Sequence, residues 1–182
     1  MMITQSLKAL VLGGIAAAVG GCGIGLAPLE VVDNVDLEQY AGRWYEIARY
    51  PNSFERNCVG VTADYSLRDD GKVGVVNTCY ESSLDGDVRT IEGTARVADP
   101  STNAKLKVRF FLFFDGDYWI TELGDNYEYA VVGEPSRRFL WILSRTPQMD
   151  QELYEGILER LPDKGYDPSQ LELVPQPAAE GE

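Results

Sequence analysis

An all-β fold is what this chain of 182 residues predicts: an eight-stranded antiparallel up-and-down barrel, a calyx, followed by one α-helix. Three observations carry the expectation. Short segments alternate apolar and polar residues, tight turn clusters separate them, and the one long helical stripe follows the last of them.

The clearest alternation is Leu106, Val108 and Phe110 against Lys105, Lys107 and Arg109. Val61, Ala63, Tyr65 and Leu67 share a face opposite Thr62, Asp64, Ser66 and Arg68, and Asp69-Asp70-Gly71-Lys72 is a hairpin turn into Val73, Val75 and Asn77. Arg43 to Tyr50, Thr90 to Val97, Tyr118 to Leu123, Glu128 to Gly133 and Arg138 to Arg145 complete eight strands. Turns are expected at Leu84-Asp85-Gly86-Asp87, Asp99-Pro100-Ser101, Asp115-Gly116-Asp117, Gly124-Asp125-Asn126 and Glu134-Pro135-Ser136. Sequential strands with tight turns suit a closed barrel, since closure leaves no edge to template aggregation; a two-sheet sandwich is the competing arrangement. Beyond them Asp150 caps a helix in which Leu153, Ile157 and Leu161 recur at i, i+4 and i+8, with Tyr154 and Leu158 beside them, until Pro162 and Gly165 end it.

The length suits one folded unit with a real core. Hydrophobic residues make up 45% and charged residues 25%, an ordinary globular balance. With 16 Lys+Arg against 29 Asp+Glu the formal charge is −13, a surface that repels phosphate backbones, so nucleic acid is not an expected partner.

The N-terminus has the pattern of an export signal: Ala9 to Gly21 is apolar and rich in small residues, after Lys8. It ends in Val19-Gly20-Gly21-Cys22, which resembles the lipobox at which bacterial lipoproteins are cleaved and acylated; a plain signal peptide or an uncleaved anchor are the alternatives. Residues 1–21 are thus expected to be a lipoprotein signal, 22–34 the lipidated Cys22 and a tether, 35–175 the folded domain and 176–182 a flexible tail. Several acyl chains on Cys22, each buried CH₂ contributing about 0.8 kcal/mol, would hold the chain on a membrane. The absence of Asp at Gly23 resembles lipoproteins sorted to an outer membrane.

Alternation assigns Val61, Ala63, Tyr65, Val75, Asn77, Ile91, Ala95, Val108, Phe110, Tyr118, Ile120, Ala130, Val132, Phe139 and Trp141 to one inner face. A concave, mostly apolar lining with a few polar groups is the design of a small-molecule site, and Asn77, Tyr65 and Tyr118 are placed to orient a headgroup. The small residues Ala63, Ala95 and Ala130 argue against complete filling. Cys58 and Cys79, an even pair in an exported chain, are expected to form a disulfide, with a bulge or a pre-strand position for Cys58 making up the imperfect register; a reactive Cys58 beside Arg56 is the alternative.

Catalysis has little to work with. The chain has no His, which removes the usual Ser-His and Cys-His pairs and the commonest zinc ligand, and it carries no nucleophile elbow, P-loop or dinucleotide fingerprint. Glu46 and Glu122 share inward parity and could pair as acid and base, but no catalytic residue, metal or cofactor is called for.

Three blocks of this sequence resemble the lipocalin family and its bacterial outer-membrane lipoprotein branch. They are Gly42-Arg43-Trp44-Tyr45-Glu46-Ile47-Ala48, Asn126-Tyr127-Glu128-Tyr129-Ala130-Val131-Val132-Gly133, and Leu140-Trp141-Ile142-Leu143-Ser144-Arg145-Thr146-Pro147. The resemblance implies a short 3₁₀ turn at Asp36 to Tyr40, the helix against the outer wall, and Leu171 to Val174 as the ninth strand. It implies that the Arg145 guanidinium lies over the Trp44 indole and, with Gly42, closes the narrow end; a plain core Trp44 and a solvated Arg145 are the alternative. That an eight-stranded barrel holds one small ligand is taken from the family itself. The cargo so implied is fatty acid, lysophospholipid or a similar lipid, carried by a monomer or homodimer for transport, storage or repair of the envelope. A lipid-modifying enzyme on the same barrel and a purely structural envelope lipoprotein are the other two readings.

Overall fold

A computed structural model describes residues 26–111 and 114–178, and of Phe111 and Phe114 only the backbone. The expected signal segment and Cys22 lie outside the described residues.

Nine strands form one antiparallel sheet, ordered β2-β3-β4-β5-β6-β7-β8-β1-β9 and closed by pairing of β1 with β2. They run Gly42–Arg49 (β1), Cys58–Leu67 (β2), Val73–Glu81 (β3), Val88–Val97 (β4), Lys105–Phe111 (β5), Phe114–Leu123 (β6), Tyr129–Gly133 (β7), Leu140–Ser144 (β8) and Glu172–Leu173 (β9). The sandwich alternative is thereby excluded. β1 contacts β2 only over Gly42 to Tyr45, against Thr62 to Tyr65; its other half pairs with β9, Ala48 opposite Leu173. The C-terminal segment fills the seam between them. Gly60 N donates to Pro175 O, and the Gln176 side-chain amide donates to Glu46 O and Val61 O, at 2.8 and 2.9 Å. Gln176, expected at the start of the free tail, is therefore bound to the barrel.

Two further expectations are corrected. Asp36 to Tyr40 holds one turn of α-helix, α1 (Leu37–Tyr40), rather than a 3₁₀ turn, because the Asp36 carboxylate accepts from the backbone N–H groups of Glu38 and Gln39. Asp115-Gly116-Asp117 is not a turn. It lies inside β6, where Asp117 faces Lys107 and Gly116 faces Val108, and the strands meet instead at Phe111 and Phe114. Ion pairs hold the polar residues in the ladder: Lys107 to Asp117 at 2.7 Å and Arg109 to Asp115 at 2.6 Å.

Helix α2 (Gln151–Arg160) starts where Asp150 accepts from Leu153 N, and its chain direction ends in a 3₁₀ turn at Pro162–Lys164 with Gly165 at φ 82°. Its buried Ile157, with Leu161 beyond it, packs on Ile47, Val131, Leu140 and Ile142, so the helix covers the outer wall. A separate cluster, containing Trp44, Tyr65, Val75, Ala95, Leu106, Ile120, Ala130 and Val132, fills the inside of the barrel. Strand parity thus splits the apolar residues between two cores.

Cys58 and Cys79 are joined by a disulfide, with Cα atoms 5.4 Å apart. Simple counting does not align them. A bulge between Val59 and Thr62, turning on Gly60 at φ 56°, takes up the offset. Val61, expected among the lining residues, packs with Cys58, Cys79 and Val174 in a small cluster of its own.

Candidate functional site: the barrel interior

One end of the barrel is closed. Trp44 is fully buried, and the Arg145 guanidinium carbon lies 3.9 Å from its ring centroid. Arg145 donates to the carbonyls of Gln39, Ala41, Arg43 and Tyr127 at 2.5–3.2 Å, while Trp44 Nε1 donates to Tyr40 O at 2.9 Å. Gly42, at φ 92°, gives Arg145 room: a Cβ there would stand 3.5 Å from Nη1, on a backbone that side chains rarely adopt.

Above this plug lies a floor of phenols. Tyr65 Oη donates to Tyr118 Oη at 3.0 Å, and the Tyr118 and Tyr40 hydroxyls are 2.7 Å apart. Burial holds the Tyr40, Tyr65 and Tyr118 phenols above their ordinary pKa, so they stay protonated. The cavity left among Tyr40, Tyr65, Val73, Ala95, Leu106 and Tyr118 is about 20 Å³, room for one water and not for a hydrocarbon tail. Tyr65 and Tyr118, expected to orient a headgroup, spend their hydroxyls on each other and on Tyr40.

The upper half differs. Asn77 pairs with Ala63 on one side and Ile91 on the other, and Val108 pairs with Ala95, which keeps these residues on the inner row. Ala63, Asn77, Ile91, Val108, Phe110, Phe139 and Trp141 are all only half-buried, although Ile120 and Ala130 lower down, and Val132 opposite Trp141, are sealed. Partial exposure on an inward row means that the interior opens toward that end. The Asn77 Oδ1 is buried and accepts no hydrogen bond among the described residues. Phe139 stacks on Trp141 with ring centroids 5.9 Å apart, and Phe54 closes on Phe139 at 5.6 Å, forming an aromatic lip.

A polar network not legible beforehand lies beside that lip. Arg49 Nη1 donates to Glu46 Oε1 at 2.8 Å, Nε to Glu172 Oε1 at 3.0 Å, and Nη2 to the carbonyls of Glu55 and Cys58. Glu55 Oε2 accepts from Trp141 Nε1 at 3.2 Å and from Asn52. Burial, and then the neighbouring Glu55 charge, raise the Glu46 carboxyl well above the ordinary range. Alternation marks Glu46 as inward, but a bulge between Glu46 and Ala48 hides the parity of Arg49. Glu122 is not its partner. A bulge between Ile120 and Glu122 turns Glu122 to the outer wall, where it accepts from Arg160 at 2.8 Å and lies 3.6 Å from Lys164. Among the described residues, no group of three His, Cys, Asp or Glu is placed to hold a metal.

A larger groove, about 680 Å³, runs outside the barrel between α2 and the C-terminal segment, past Ile47, Met149, Tyr154, Leu158, Leu173 and Pro175. None of the alternation-predicted lining residues reaches it.

A closed antiparallel barrel, plugged at one end by an arginine over a tryptophan and open at the other onto an apolar lining, defines a calyx-type ligand-binding fold. Residues 35–176 match the family model of the lipocalin-like domain, and the chain belongs to the lipocalin family. It is 43% identical over 157 residues to temperature-induced lipocalin-1 of Arabidopsis thaliana, with 81% of this chain and 83% of that protein covered. To the outer membrane lipoprotein Blc of Escherichia coli K12 it is 43% identical over 149 residues, covering 82% and 84% of the two chains. Among solved structures, insecticyanin of the tobacco hornworm Manduca sexta superposes with a TM-score of 0.69 at 21% identity, over 85% of this chain and 87% of that one, a likeness of fold.

Proposed function

We propose that the protein is a lipocalin anchored to the bacterial outer membrane through acylated Cys22, binding a single-tailed lipid such as a fatty acid or lysophospholipid in the upper half of the barrel. It carries or stores that lipid, or removes it from the envelope, without chemical change. The observation that bears the reading is the half-exposed apolar inner row of Ala63, Ile91, Val108, Phe110 and Trp141. Burying such surface against an acyl chain returns roughly 25 cal/mol per Å². The location is supported by bacterial relatives at 40–45% identity that are named outer membrane lipoproteins.

Three measurements test it. Lipid extracted from the purified, untreated protein and weighed by mass spectrometry is expected to contain a single-tailed amphiphile; protein free of lipid would favour a purely structural role. Ala63→Trp, which fills the lumen without touching the outer groove, is expected to weaken fluorescent fatty-acid binding at least tenfold. Undiminished affinity would move the site out of the barrel. Incubation with lysophospholipid is expected to return it intact, and product accumulating with turnover would make the protein an enzyme.

A further inference from the structure

Strand directions fix which end of the barrel the membrane tether leaves from. β1 runs from the Trp44 plug toward the opening, so the connections β1–β2, β3–β4, β5–β6 and β7–β8 all lie at the open end. From the plug the N-terminal segment climbs the wall backwards. Val35 N bonds Thr102 O at the closed end, Val32 N bonds Ile120 O partway up, Leu29 is buried among residues that include Leu140 and Tyr166, and Ala27 O accepts from Arg137 Nη2 at 2.7 Å in the β7–β8 turn. The described chain therefore starts, at Leu26, beside the mouth. Cys22 is four residues earlier, and at no more than about 3.6 Å per residue the span is on the order of 14 Å.

The same end is greasy. Six large apolar side chains among the described residues are exposed: Leu26, Phe54, Leu84 and Val88 lie at the mouth, Leu173 on the outer groove, and Leu67 alone at the closed end. Phe54 and Val88 keep 56% and 61% of their surface in solvent. Arg89, which donates to Phe54 O, stands among them with Arg56 and Arg138. Exposed apolar tips are what an interfacial lipid contact uses, and the charges around them are mixed, with Asp85 and Asp87 between Leu84 and Val88 and Arg89 at 3.6 Å from Glu81. Scattered apolar residues need no explanation, but a tether so short leaves the rim little choice of neighbour.

We infer that the barrel is held mouth-down: the rim formed by Phe54, Leu84 and Val88 rests on the bilayer that carries the Cys22 anchor, so ligand passes between membrane and lumen without crossing water. This rests on the anchor reading above. The three-residue spacer between Cys22 and Leu26 and the tether's exit beside the β7–β8 turn oppose a mouth-up arrangement, in which the chain would have to travel back along the length of the barrel.

The test uses the full-length acylated chain in vesicles of phosphatidylethanolamine and phosphatidylglycerol with brominated acyl chains, which quench tryptophan at the membrane surface. Phe54→Trp and Val88→Trp probe the mouth, and Leu67→Trp the closed end, each corrected for the native protein's own emission. Quenching at positions 54 and 88 is expected to exceed that at 67 at least threefold. Equal quenching, or the reverse order, in chains whose intact mass includes the acyl groups would overturn the orientation and leave the anchor standing. Intact masses without acyl groups would overturn both. Val88, on the exposed face of a strand, provides the reading if Phe54→Trp fails to fold.

Discussion

Arg145 shows how much a single side chain can organise. Its planar fork satisfies three carbonyls between Gln39 and Arg43 and that of Tyr127 in the β6–β7 connection while its face covers Trp44, so two stretches of backbone far apart in sequence share one cation. Arg145→Ala would leave those carbonyls without a donor at a closed end. It is expected to lower the unfolding free energy by roughly 2–4 kcal/mol in denaturant titration. Arg145→Lys, with the charge but not the fork, should recover less than half of that loss; full recovery would mean that charge alone matters. The tyrosines give the residue scale its pH dependence. Burial raises the Tyr40, Tyr65 and Tyr118 phenols and pushes Tyr166 up to about 12. Since the folded pKa lies above the unfolded one, near 10, the stability these groups contribute is whole below pH ~10 and is lost as pH rises through the folded value. An ultraviolet titration should find these phenols ionising only together with unfolding. Ionisation at the ordinary pKa in a still-folded protein would contradict the hydrogen-bonded floor.

At the scale of elements, alternation located every barrel strand, because a wall with one wet and one dry face imposes a period of two. What it missed are the bulges. Each inserts a residue and reverses parity, which is why Arg49 joins the interior network while Glu122 leaves it; only the bulge beside Cys58 left a trace, in the mismatched register of Cys58 and Cys79. The turn expected at Asp115 to Asp117 failed for a different reason: local turn preference was outweighed by cross-strand ion pairs, and β5 pairs with β6 as far as Phe111 and Phe114. The floor was half-legible, since Tyr65 and Tyr118 had the right parity, but their partner Tyr40 comes from α1, outside any alternating run. The disulfide spans the bulged hairpin and closes a separation of 21 residues. Its reduction is expected to cost about 3 kcal/mol in the chain-entropy picture, read as a lower denaturation midpoint with an intact barrel spectrum. A midpoint unmoved by reduction would mean that the β2–β3 pairing and the C-terminal segment hold the mouth unaided.

For the whole molecule, the division of the interior into a filled lower half and an open upper half sets a length for the ligand. Bound as proposed, a tail entering at the mouth would meet Ala63, Ile91, Val108 and Phe110 and stop at the Tyr65–Tyr118–Tyr40 floor, where only about 20 Å³ remains. Each added CH₂ that still finds lumen wall should tighten binding by about 0.8 kcal/mol, close to fourfold, and each one beyond the floor should add nothing. Affinities of a homologous series of saturated fatty acids, measured by displacement of a fluorescent probe, are therefore expected to climb and then level. Tyr118→Ala deepens the cup by removing the phenol that bonds to both of the others, so it should move the levelling point to longer tails while weakening the fold, because the Tyr40 and Tyr65 hydroxyls lose their partner. A levelling point unchanged in Tyr118→Ala would place the tail elsewhere than above the floor. Affinity that keeps rising in the native protein would mean that the phenols swing aside to admit the ligand.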